Sequence, residues 1–82
     1  MGEISIRKEE QGAKGRYVAS VEGQADVGEM TFTRLSDKLI IVDHTGVPDS
    51  LRGMGVGQAL AAHVVAEARA QGFRIVPLCP FL

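Results

Sequence analysis

The chain has 82 residues and a mass of 8.8 kDa, long enough for one small domain spanning 1–82 and too short for two. Nine Lys+Arg against ten Asp+Glu leave a formal net charge of -1, with the cations scattered from Arg7 to Arg74, so neither nucleic acid nor a membrane surface is expected as a partner. Apolar residues at 45% and charged residues at 23% exclude disorder as the default, and 5% aromatics without Trp point to an aliphatic core.

The longest aliphatic runs, Leu39 to Val42 and Ala59 to Ala62, fall far short of the ~18 residues of a bilayer span. Met1-Gly2-Glu3-Ile4 carries neither a basic start nor an apolar signal region, which makes a cytoplasmic address the simplest expectation. The single cysteine, Cys79, can form no intramolecular disulfide and supplies no thiolate-rich metal site, so no metal is expected.

In chain order, Ile4 to Arg7 alternates apolar and polar residues and predicts a strand, followed by a polar turn from Lys8 to Gly15. Arg16 to Val21 alternates again, Gly23 breaks it, and Val27 to Thr33 resumes with Gly28, Met30 and Phe32 on one side. Such short returns predict an antiparallel meander. Ser36-Asp37-Lys38 is the next turn, and Leu39 to Val42, apolar on both faces, predicts a central strand covered on both sides. A loop from Asp43 to Arg52 then leads to Gly53-Met54-Gly55-Val56-Gly57 and to a segment whose Leu60, Ala61, Val64, Val65 and Ala68 share one helical face. Gln58, His63 and Glu67 fall mostly opposite, and Gly72 stands where a left-handed C-terminal cap belongs. Arg74 to Cys79 predicts a last strand, so the second half is a parallel β-α-β crossover and the fold class is α/β, mixed α+β. Pro77, lacking a donor, is expected to end its pairing and splay it from its neighbour.

A helix start leaves backbone N–H groups unpaired, and residues 53–57 offer no side chain to cap them. Three glycines there let the backbone close on an anion such as a phosphate, with Arg52 adding a positive charge. The other reading is a plain glycine turn, its N–H groups in water, with Asp49 or Ser50 capping an earlier start. Spacing excludes the dinucleotide fingerprint, because Gln58 stands at its last glycine, and the P-loop, because Gly57 is followed by Gln58-Ala59.

Arg52-x-x-Gly55-x-Gly57 does resemble the Gln/Arg-x-x-Gly-x-Gly/Ala motif of the GNAT superfamily of N-acetyltransferases. Val47-Pro48 before it, with Gln71-Gly72-Phe73 and Val76-Pro77-Leu78-Cys79-Pro80-Phe81 after it, is similar to the minimal, very short branch of that superfamily. The resemblance implies that Arg52, Gly53, Met54, Gly55, Val56 and Gly57 hold the pyrophosphate of acetyl-CoA, and that pantetheine runs along a wall of Val42, Asp43 and His44. Larger members continue past the fifth strand with a helix that often carries a tyrosine acid, whereas here Leu82 is the last residue and Tyr17 lies on an early strand. The expectation is therefore a truncated chain, or a missing wall supplied by a second copy in a homodimer.

His44 is the candidate base for an ammonium acceptor, or else a loop histidine bonded to a neighbouring backbone group. Cys79, which the resemblance places near the acetyl group, is a candidate nucleophile or proton donor, or else a small core residue. Asp43 either binds a substrate cation or forms a turn, and His63 is expected in solvent. The expected function is acetyl transfer from acetyl-CoA to a small-molecule or peptide amine. A non-catalytic acyl-CoA-binding or interaction module is the alternative, and a structural domain with a vacant loop is a third.

Overall fold

In a computed structural model, which describes residues 2–80 and 82, the chain is a five-stranded sheet with one helix laid across it. Phe81 of the terminal motif lies outside the described residues. The elements are β1 (Ile4–Gln11), β2 (Lys14–Val21), β3 (Val27–Ser36), β4 (Leu39–Gly46), a 3-10 turn (Asp49–Leu51), α1 (Val56–Gln71) and β5 (Arg74–Pro77). Strand order follows the sequence, with β1 to β4 antiparallel and β5 parallel to β4. The mixed α+β fold with its meander and crossover is therefore the one the hydrophobic pattern predicts.

Leu60, Val64 and Ala68 recur at helical spacing and are buried, and with Val56 they pack into one cluster with Tyr17, Met30, Phe32, Ile40 and Val42 of the sheet. Each fully buried aliphatic side chain of this kind contributes about 1.5–3 kcal/mol. Gly72 ends the helix at φ 76, its N–H bonded to the Ala68 carbonyl at 2.8 Å. A Cβ on Gly28 would lie 2.5 Å from Val56 Cγ1, so a glycine on β3 is what lets the start of the helix come down onto the sheet.

Three expectations are corrected. The polar stretch after Arg7 continues β1 to Gln11, and only Gly12-Ala13 turns. Its charges are paired across strands rather than loop-like, with Glu9 bonded to Arg16 at 2.8 Å and Glu10 to Arg34 at 3.0 Å. β4 is covered on one face only: Ile40 and Val42 are buried beneath α1, while Ile41 on the open face is only partly buried. It also runs on to Gly46, so that Asp43 and His44 belong to a strand and not to a loop.

The β4–β5 ladder ends at the Val42–Pro77 pair, where the sequence predicts, but not for want of the Pro77 donor. Arg74 donates its N–H to the Lys38 carbonyl at 2.8 Å and Leu78 donates to Val42 at 3.0 Å, so residues 74, 76 and 78 turn their N–H groups toward β4. The nitrogen of Pro77 faces the outer edge, where no ladder donor is required. Backbone pairing between the two strands stops beyond Leu78, beside an irregularity in β4. Phe32 pairs with Val42 and Thr31 with His44, leaving Asp43 as an extra residue, a β-bulge. Bulges bend and twist the strand that carries them, and this one lies where pairing with β5 stops.

The polar flank of α1 is less solvated than its sequence suggests. Glu67, 16% exposed at its side chain, accepts hydrogen bonds from Lys8 at 2.6 Å and from the Tyr17 hydroxyl at 2.9 Å. His63 stands edge-on to the Tyr17 ring, centroids 5.5 Å apart, with Nε2 3.7 Å from Glu67. Burial pushes the Glu67 carboxyl up, but the bonds from Lys8 and Tyr17 together hold it below its ordinary 4.5, while burial and Glu67 push the Tyr17 hydroxyl up. A lowered folded-state value gives stability that is present above pH 4.5 and is lost as the pH falls through the folded value. Glu67→Gln is thus expected to cost about 1–2 kcal/mol at neutral pH and to flatten the acid limb of a melting-temperature profile. An unchanged acid limb would mean that Glu67 titrates alike in the folded and unfolded chain.

Candidate functional site

The site is built where β4 leaves β5 and α1 begins. Asp49–Leu51 makes one 3-10 turn, and the chain then passes through Gly53 at φ 82 and Gly55 at φ 76, a left-handed conformation that glycine adopts without steric cost. Gly55 is the N-cap and no side chain bonds the helix start. Asp49 and Ser50 do not cap an earlier helix, because their side chains go to Arg52 and Asp26. The first helical hydrogen bond runs from Ala59 to the Gly55 carbonyl at 2.9 Å, so the N–H groups of Val56, Gly57 and Gln58 point out of the helix end.

These groups border a cavity of about 570 Å³ lined by Thr45, Val47, Leu51, Arg52, Gly53, Gly55, Val56, Gly57 and Gln58. The positive end of the α1 dipole and the Arg52 guanidinium both border it. Arg52 is paired with Asp49 at 3.0 Å, but both side chains are more than four-fifths exposed, and such a pair holds weakly enough for Arg52 to swing to a ligand.

The expected residues do not all fall together. Arg52, Gly53, Gly55, Val56 and Gly57 surround the cavity together. Met54 projects from the loop, 41% exposed, and the Val42 side chain is in the core while its carbonyl takes the last bond from β5. Asp43 and His44 lie toward the open face, where the Thr31 hydroxyl bonds the Asp43 carboxylate and His44 Nε2 would stand 3.4 Å from a Cβ on Gly46. A smaller hollow of about 310 Å³ is lined by Val27, Glu29, Gly46, Val47 and Pro48, without Asp43 or His44.

Cys79, 3% exposed, sits on the helix side, its Sγ 2.6 Å from Thr45 Oγ1. Thr45 and Gln58 were not singled out by the sequence. Gln58 is recoverable by counting to the third helical residue after Gly55. Thr45 is not, since it faces the cavity only because the bulge makes it share a side with Val42, three residues before it.

A strand that parts from its parallel neighbour beside an uncapped, glycine-rich helix start is the geometry the resemblance requires. Comparison with family models matches residues 16–82 to the GCN5-related N-acetyl-transferase family. The chain belongs to that family. The match begins in β2, so two of the meander strands that resembled the family only in kind lie inside it whole or nearly so. A search of curated proteins finds no match. GCN5-related N-acetyl-transferases carry out acyl transfer and generally use acetyl-CoA. Among the described residues of this member, no helix is long and apolar enough to cross a membrane.

Proposed function

We propose that this chain is an acetyl-CoA-dependent N-acetyltransferase, with the CoA pyrophosphate on the N–H groups of Val56, Gly57 and Gln58 and beside Arg52. The observation that carries the reading is the cavity itself, which joins an uncapped helix start to the stretch of β4 that β5 leaves unpaired. Backbone groups of residues 43–46 supply the edge along which an extended, amide-containing pantetheine pairs in the manner of a strand. The acceptor amine then reaches the thioester from the open face, where His44 takes the proton that the ammonium must lose before its nitrogen can attack. Much of the barrier is removed by holding amine and thioester together.

Thermal unfolding with CoA tests this. Ligand at about 100 times its Kd stabilises the native state by ~2.7 kcal/mol, and each kcal/mol raises Tm by about 4–8 °C in a domain of this size. Gly55→Ala, which forces a Cβ into the left-handed region, is expected to lower the apo Tm by an amount equivalent to ~1 kcal/mol and to reduce the shift that CoA produces. No shift with millimolar CoA removes the proposal. A shift without turnover on polyamines and lysine peptides leaves a CoA-binding module in its place.

A further inference from the structure

We propose that the Thr45 hydroxyl is the proton donor to the departing CoA thiolate, with Cys79 behind it as the source of the replacement proton. This rests on the reading of the cavity as a CoA site, and it assigns to a strand hydroxyl the role that the resemblance gives to a tyrosine after β5.

The other described hydroxyls near the site are committed elsewhere. Tyr17 donates to Glu67 under the far edge of the sheet, Ser50 donates to Asp26, and Thr31 donates to Asp43 on the open face. Thr45 alone among them lines the cavity. Cys79 does not line it, being 3% exposed, so a ligand in the cavity meets the hydroxyl and not the thiol. Thr45 Oγ1 and Cys79 Sγ are 2.6 Å apart and either can donate to the other; in the relay the thiol is the donor at the hydroxyl's back. An aliphatic hydroxyl is too weak an acid to lose its proton outright, but it can pass one on when it receives another in the same step.

The step balances as follows. The amine nitrogen bonds to the thioester carbonyl carbon, the C–S bond breaks and its electron pair stays on sulfur. Thr45 transfers its proton to that sulfur while Cys79 transfers its own to Thr45. The nitrogen sheds its proton to solvent by way of His44, and the Cys79 thiolate takes one proton back from solvent once the product has left. Amine and thioester have become amide and thiol, with no other reactant.

Two measurements on the full chain decide it. With acetyl-CoA, Thr45→Val is expected to lower kcat by about 100-fold or more with little change in KM, while Thr45→Ser stays within about tenfold of the wild type and Cys79→Ala falls between them. The second needs no acceptor: the ionisation of the thiol of bound CoA, followed by thiolate absorbance against CoA-free protein. A donor aimed at the sulfur stabilises its anion, so this thiol is expected to ionise about one pH unit lower in the wild type and in Thr45→Ser than in Thr45→Val. A merely structural threonine moves affinity but not that midpoint. If CoA binds and the midpoint is the same in Thr45→Val, the relay is wrong and the CoA site stands. If CoA does not bind the wild type, both fall.

Discussion

Gly28→Ala is expected to destabilise the protein and weaken CoA binding together, although residue 28 lies on β3 and does not line the cavity. Its new Cβ would stand 2.5 Å from Val56 Cγ1 and 3.5 Å from the Gly46 carbonyl oxygen. Val56 is buried, β-branched and the first residue of α1, so it cannot rotate away, and relief comes by lifting the helix start from the sheet. Overpacking of this kind costs about 1–3 kcal/mol, and the N–H groups of Val56, Gly57 and Gln58 move with the helix. Val56→Ala removes the conflicting methyl groups, and the double variant should recover at least ~1 kcal/mol relative to the sum of the singles, with CoA binding partly restored. Strictly additive losses in chemical denaturation would show that Gly28 is not the seat on which the loop rests.

Deletion of Asp43 carries the largest expected loss of ligand affinity with the least change of fold. Removing the extra residue lets Phe32–Val42 and Thr31–His44 follow one another in a regular ladder, with His44 still on the open face and Thr45 still on the helix side. The local bend of β4 is then expected to disappear, and with it the unpaired edge proposed above for pantetheine. Losing two backbone hydrogen bonds at about 1 kcal/mol each corresponds to about 30-fold in Kd. Calorimetric titration with CoA checks this, and affinity retained in the deletion variant would separate the opening from the bulge. Pro77→Ala is the control: it restores only an outward N–H and should leave affinity unchanged.

The sequence showed most of what periodicity can carry. The stripe of Leu60, Val64 and Ala68, the cap at Gly72 and the parallel strand after it follow from apolar spacing and from a glycine where φ is positive. The loop was legible because a glycine-rich helix start without a capping side chain is a local pattern. What remained hidden depends on residues far apart in the chain. Lys8, Glu9 and Glu10 read as a turn because their partners, Glu67, Arg16 and Arg34, are brought alongside only by the sheet and helix. The bulge has no signature of its own, since Asp43-His44-Thr45 is as polar as a loop, and only the register against β3 shows that one residue is extra. The bond from Thr45 to Cys79 spans 34 positions and follows from that register.

The outward nitrogen of Pro77 has a meaning for the exposed edge of the sheet. β5 forms one border of the sheet, and borders invite other strands to add to them and polymerise. Residues 75 and 77 are the ones whose backbone groups point away from β4. With proline at 77, an incoming strand finds a single donor, at Ile75, within the whole length of Arg74–Pro77, and a ladder resting on one such bond does not grow. The opposite border, β1, is guarded by Arg7, Lys8, Glu9 and Glu10. Both borders of this small sheet thus discourage further strands, one by removing a donor and the other by charge, while the candidate cavity lies away from either border, between the end of β4 and the start of α1.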